Sequence, residues 1–206
     1  MPRVIEPSMS PQLYAASVER PRRRRWPWVL AVLALLSFGC CGVLALVSEP
    51  IRDQYPVRAV VGTEIAGLRK DASPQMQAVE SKLVADIRAQ RDRAGAIGVK
   101  LDDPKAKNKP ILLAVVTTLI LDPTGELDQL MAKAGDGTLR NVQAFDALPR
   151  GGELKCAHTD SKVGEVVVCG WIDHGSLGIA LFFGGRSIAD SAQKFQQIRA
   201  EILVKE

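Results

Sequence analysis

Chemistry in this sequence could come from a run of four residues, Asp173-His174-Gly175-Ser176, and from two cysteines upstream, Cys156 and Cys169. An aspartate beside a histidine is the material of an acid–base pair, and a nearby serine becomes a nucleophile when a base reaches it. The spacing argues against that use. A nucleophile elbow carries glycine two before and two after its serine, whereas Gly175 and Gly178 stand one before and two after Ser176. Adjacent side chains in a turn point apart, and Asp and Gly are ordinary turn formers. Asp173, His174 and Ser176 are the catalytic candidates, and nothing in the sequence completes a constellation around them.

Other chemistries lack their residues. The chain has two histidines, His158 and His174, and four cysteines. A zinc site needs three or four ligands, some of them His or Cys, so no metal is expected once Cys156 and Cys169 are paired. Neither a phosphate loop nor a dinucleotide fingerprint is present, and no cofactor is implied. Asp102, Asp103 and Asp160 fit solvated turns better than metal sites.

The candidates have to be positioned by the segment 151–183, which predicts three strands, Gly152 to His158, Glu165 to Ile172 and Leu177 to Phe183, joined by tight turns. If residues 162 and 163 form the middle of the first turn, Cys156 faces Cys169 on the same side of neighbouring strands. A cross-strand disulfide is then within reach. Trp171 is expected in the core beside it. Asp173 to Ser176 form the second turn.

Around this meander the pattern is mixed. Pro56 to Ile65 predicts a short first strand. Ser73-Pro74 reads as a helix start, with Met76, Val79, Leu83, Ile87 and Ala94 on one face. Ala96 to Leu101 predicts a strand. Ile111 to Leu121, ILLAVVTTLIL, predicts a central strand buried on both faces. Leu127, Leu130, Met131 and Ala134 predict a short helix, and Thr138 to Phe145 another strand. Ser187 opens a last helix with an apolar stripe through Ile188, Ala192, Phe195, Ile198 and Ile202. The expected fold class is α+β: a mainly antiparallel sheet with two longer helices packed on one face. The element order over 56–145 is that of a ferredoxin-like arrangement with extra strands following.

A third part of the chain has a different character. Trp26 to Ser48, WPWVLAVLALLSFGCCGVLALVS, carries no charge; as a helix it would extend roughly 33 Å, enough to cross a hydrocarbon core of about 30 Å. The chain divides into a disordered basic tail (1–25), a transmembrane helix (26–48) and an extracytoplasmic domain (49–206). The formal net charge is +4, and the tail alone carries six Arg against two Glu. The remaining 21 basic and 21 acidic residues cancel, so no basic face for nucleic acid is expected.

Arg22, Arg23, Arg24 and Arg25 abut the apolar stretch, and only Arg52 and Arg58 follow within fifteen residues. That bias places the N-terminus in the cytoplasm and residues 49–206 outside. Trp26 and Trp28 suit the headgroup zone of the lipid bilayer. An apolar run continuing through Val47 is longer than a secretory core, which favours an anchor over a cleaved leader or a lipoprotein. A disulfide outside the cell agrees with an oxidising compartment.

Gly151-Gly152-x-x-Lys155-Cys156 followed by Val168-Cys169-Gly170-Trp171-Ile172-Asp173-His174-Gly175-Ser176-Leu177-Gly178 resembles uncharacterised single-pass membrane-anchored proteins of actinobacteria, and the Pro-rich, Arg-capped tail is similar too. The resemblance implies anchoring and paired cysteines but no activity. The expected function is a membrane protein presenting a disulfide-stapled domain to an extracytoplasmic protein or envelope ligand. The alternatives are a cell-envelope enzyme using Asp173 and His174, or a subunit of a larger membrane complex.

Overall fold

The computed structural model describes residues 26, 29–30, 49–90, 94–106, 108–123, 125–134, 138–161 and 164–206. The larger of its two compact units, Ala45–Glu206, holds the fold. It is α+β, with all its paired strands antiparallel. The strands are β1 (Val57–Ala59), β2 (Glu64–Ile65), β3 (Leu68–Lys70), β4 (Gly95–Asp102), β5 (Ile111–Thr117), β6 (Arg140–Phe145), β7 (Glu153–Ser161), β8 (Gly164–Ile172), β9 (Ser176–Phe182) and β10 (Leu203–Lys205). The helices are α1 (Pro74–Gln90), α2 (Glu126–Ala134) and α3 (Ile188–Ile202), and residues 49–54 are also helical.

Eight strands form one sheet in the order β2-β3-β4-β5-β9-β8-β7-β6, and β1 pairs with β10 in a separate ribbon. Alternation along the strands divides the interior into two layers. On the first face Val99, Leu113, Trp171 and Phe182 pack with Phe195 and Ile198 of α3 and with Val57 and Leu203 of the ribbon. The Trp171 and Phe195 rings lie 4.6 Å apart, and Phe182 meets Phe195 edge-on. On the second face Val168, Ile172 and Ala157 pack with Leu127 and Met131 of α2. Gly170 makes that approach close: a Cβ there would stand 2.7 Å from Leu127 and 3.0 Å from Met131. Helices thus lie on both faces, the longer α3 on the first and the short α2 on the second. Of Leu127, Leu130, Met131 and Ala134, the short α2 buries only Leu127 and Met131.

The central strand is also shorter than expected. β5 ends at Thr117; its first-face residues are buried, but Leu112 is exposed and Ala114 and Val116 are half-buried. Residues 118–120 leave the sheet and bond to the turn after β8 instead. The ferredoxin-like order fails because β1 pairs with β10, at the other end of the domain sequence, and β6 pairs with β7 at the far edge. The meander β7–β8–β9 matches the expected hairpins. Ser187 caps α3, its Oγ accepting from the Asp190 N–H at 3.0 Å.

Among the described residues, no helix is long and apolar enough to cross a membrane. The expected span, 26–48, lies outside them except for Trp26, Val29 and Leu30, and Arg22, Arg23, Arg24, Arg25 and Trp28 lie wholly outside.

Candidate functional site

β7 and β8 pair in the register that sets Cys156 opposite Cys169, and the two are joined by a disulfide. Their Cα atoms are 4.1 Å apart, as in the narrow kind of antiparallel pair. Both cysteines are buried on the first face, in the same layer as Trp171.

β8 delivers its last residues directly into the Asp173–Ser176 turn. The turn is tight because Asp173 bonds its own backbone ahead. Its Oδ1 accepts from the Gly175 N–H at 2.7 Å and the Ser176 N–H at 2.6 Å, and its N–H donates to the Ser176 carbonyl at 2.9 Å. Such a local carboxylate-to-backbone bond is the usual reason Asp opens a turn. The other oxygen, Oδ2, accepts from the Ser176 hydroxyl at 2.8 Å and from Arg199 Nη2 at 2.7 Å. Trp171 Nε1 completes the chain by donating to Ser176 Oγ at 3.1 Å.

Arg199 comes from α3 and is as buried as its partner. Its Nη1 donates to the Ala147 carbonyl and its Nη2 also donates to the Gly151 carbonyl at 2.8 Å. The guanidinium carbon lies 5.8 Å from the Trp171 ring centroid, within cation–π range. Burial pushes the guanidinium down from its ordinary value; the Asp173 hydrogen bond and charge oppose that, and Arg150 adds to it.

His174 faces elsewhere. Its Nδ1 lies 2.8 Å from the Ile120 carbonyl; a carbonyl only accepts, so Nδ1 carries the proton. Its backbone N–H donates to Gln54 Oε1 at 2.8 Å, and Gln54 Nε2 donates to the Arg150 carbonyl at 2.8 Å. Gly175 passes so close that a Cβ would stand 2.0 Å from the Gln54 carbonyl. Gln54, 8% exposed, therefore ties the end of the 49–54 helix to two turns at once.

The structure brings Asp173 and Ser176 together and leaves the His174 ring bonded to Ile120. The serine hydroxyl donates to the aspartate itself, with no imidazole between them. The carboxylate accepts four hydrogen bonds, about its full capacity, and is 1% exposed. This geometry locks a turn to a helix, with both Asp173 oxygens and the Ser176 hydroxyl engaged inside the fold. His158 sits on β7, its Nδ1 2.9 Å from Glu165 Oε1, away from this turn. Among the described residues no group of three or more His, Cys, Asp or Glu could hold a metal ion.

Two partners were missed from sequence, Arg199 and Gln54. Arg199 had a signal: it stands four residues after Phe195 and seven after Ala192, on the apolar stripe of its helix. An arginine in such a position calls for a buried acid. Gln54 carried none. Comparison with protein-family models and with curated proteins yields no match.

Proposed function

We propose that the chain is a single-pass membrane protein whose residues 26–48 cross the bilayer, with residues 1–25 cytoplasmic. Residues 49–206 then form a disulfide-stapled domain outside, with one transmembrane helix ahead of it, that binds an extracytoplasmic protein or envelope ligand. Arg22 to Arg25 and the two indoles set the orientation and contact the lipid. The observation that carries this reading is the buried Cys156–Cys169 bridge, because lasting disulfides belong to oxidising compartments. The resemblance to membrane-anchored actinobacterial proteins points the same way. The polar cluster at 173–176 supports binding over catalysis, since Asp173 and Ser176 are fully committed to holding the turn.

Epitope tags at the two ends, with protease added to intact cells, test the topology. The expected result is loss of the C-terminal tag and protection of the N-terminal one; protection of both would overturn the reading. Cross-linking from the domain in the same cells should capture a reproducible envelope partner. Turnover of an envelope substrate that His174→Ala abolishes would overturn the binding role.

A further inference from the structure

The two most exposed large apolar side chains described in the domain are Leu121, at 74%, and Leu148, at 68%. They are far apart in sequence but sit on loops gathered at the same end of the fold. Gln54 bonds the Arg150 carbonyl and the His174 N–H. His174 in turn bonds Ile120 through both its ring and its carbonyl, and Thr118 N–H donates to the Gly175 carbonyl. Loops 118–121 and 147–151 therefore flank Gln54 on either side. Two cavities confirm the neighbourhood: one is lined by Asp53, Leu148 and Arg150, the other by Tyr55, Arg58 and Leu119. Leu119 and Tyr55 are exposed as well.

The place matters because of what precedes Gln54. It lies six positions after Ser48, the end of the apolar stretch, and residues 49–54 are helical. At about 1.5 Å per residue that is a rise of roughly 9 Å, comparable with the headgroup layer on one side of a bilayer of about 40–45 Å with a core of about 30 Å. We infer that this end of the domain rests on the outer face of the bilayer, with Leu119, Leu121 and Leu148 entering the boundary between headgroups and acyl chains. The inference rests on the anchoring reading above. Tyr55 suits the same zone. Charge around the end is close to balanced, four cations (Arg52, Arg58, Arg150 and Lys205) against five anions (Glu49, Asp53, Asp122, Asp146 and Glu206), so the contact is held by apolar insertion. It is correspondingly insensitive to salt.

Single cysteines at Leu121→Cys, Leu148→Cys and Lys105→Cys, in a full-length Cys40→Ala, Cys41→Ala background, can carry an environment-sensitive fluorophore. Lys105 is exposed in the loop after β4, at the opposite end of the sheet. The chain is placed in nanodiscs of phosphatidylethanolamine and phosphatidylglycerol containing a shallow nitroxide-labelled phospholipid. Quenching several-fold greater at 121 and 148 than at 105, in low and high salt alike, is the expected result. Equal, weak quenching at all three sites in a chain that resists carbonate extraction would overturn the inference and leave the anchor standing. Extraction by carbonate would remove the anchor and the inference together. Sites 121 and 148 shielded from aqueous iodide without lipid quenching would mean that a second copy covers them, which also overturns it.

Discussion

Arg199 of α3 and Asp173 of the β8–β9 turn form an ion pair at 2.7 Å, with exposures of 4% and 1%. The pair joins the last helix to the end of the disulfide-bearing hairpin. A buried pair is weak evidence for net stability, yet removing one partner strands the other's charge. Asp173→Asn is expected to destabilise the domain by about 3–5 kcal/mol, read from denaturant unfolding of the full chain. The double change Asp173→Asn, Arg199→Met should recover part of that loss. A double variant no better than the single would show that the turn's backbone bonds, and not the stranded charge, dominate.

The Cys156–Cys169 bridge closes a short loop, with a sequence separation of 13. Chain entropy for such a loop gives about 3 kcal/mol. Replacing both with alanine should lower unfolding free energy by about that amount while leaving the strand register in place. Circular dichroism of the folded state should stay close to that of the parent, because the β7–β8 ladder extends across nine residue pairs.

Trp171 lies across Gly178 of the neighbouring strand: a Cβ there would stand 2.3 Å from the ring. The indole cannot retreat, because Phe195 packs 4.6 Å away. Gly178→Ala is expected to cost about 1–3 kcal/mol as overpacking. It should also break the Trp171–Ser176 hydrogen bond, shifting Trp171 emission in a Trp26→Phe, Trp28→Phe background. An unshifted spectrum with parent stability would contradict the packing described.

Asp71, ahead of α1, is held down to about 2 chiefly by the Lys100 hydrogen bond and then by the Ser73 N–H. A depressed carboxyl contributes stability that is complete above its ordinary value of 3.8 and is lost as pH falls through about 2. Asp71→Asn should therefore lower the unfolding midpoint near pH 5, and the gap from the parent should close as the solution approaches pH 2. Lys100 is shifted the other way, upward, first by Asp71. A gap that stayed constant down to pH 2 would exclude this carboxyl as the titrating group.

The features legible in sequence were those governed by neighbours along the chain. Hairpin geometry put Cys156 opposite Cys169, and the pairing of Ser161 with Gly164 holds that register. The Ser187 cap and the α3 stripe followed from helical period, and the turn at 173–176 from Asp and Gly chemistry. The tertiary structure decided the rest. β1 and β10 pair across nearly the whole domain sequence, and no local pattern selects a partner at that distance. The last four residues of Ile111 to Leu121 read as strand but leave the sheet, because the backbone of the β8–β9 turn offers Thr118 and Ile120 other hydrogen-bond partners. The partners of the residues that looked able to do chemistry were decided in the same way: only the packed α3 brings Arg199 onto Asp173. Charge and hydrogen-bonding capacity are written in the sequence, but whether they face a substrate or one another depends on which distant elements fold against them.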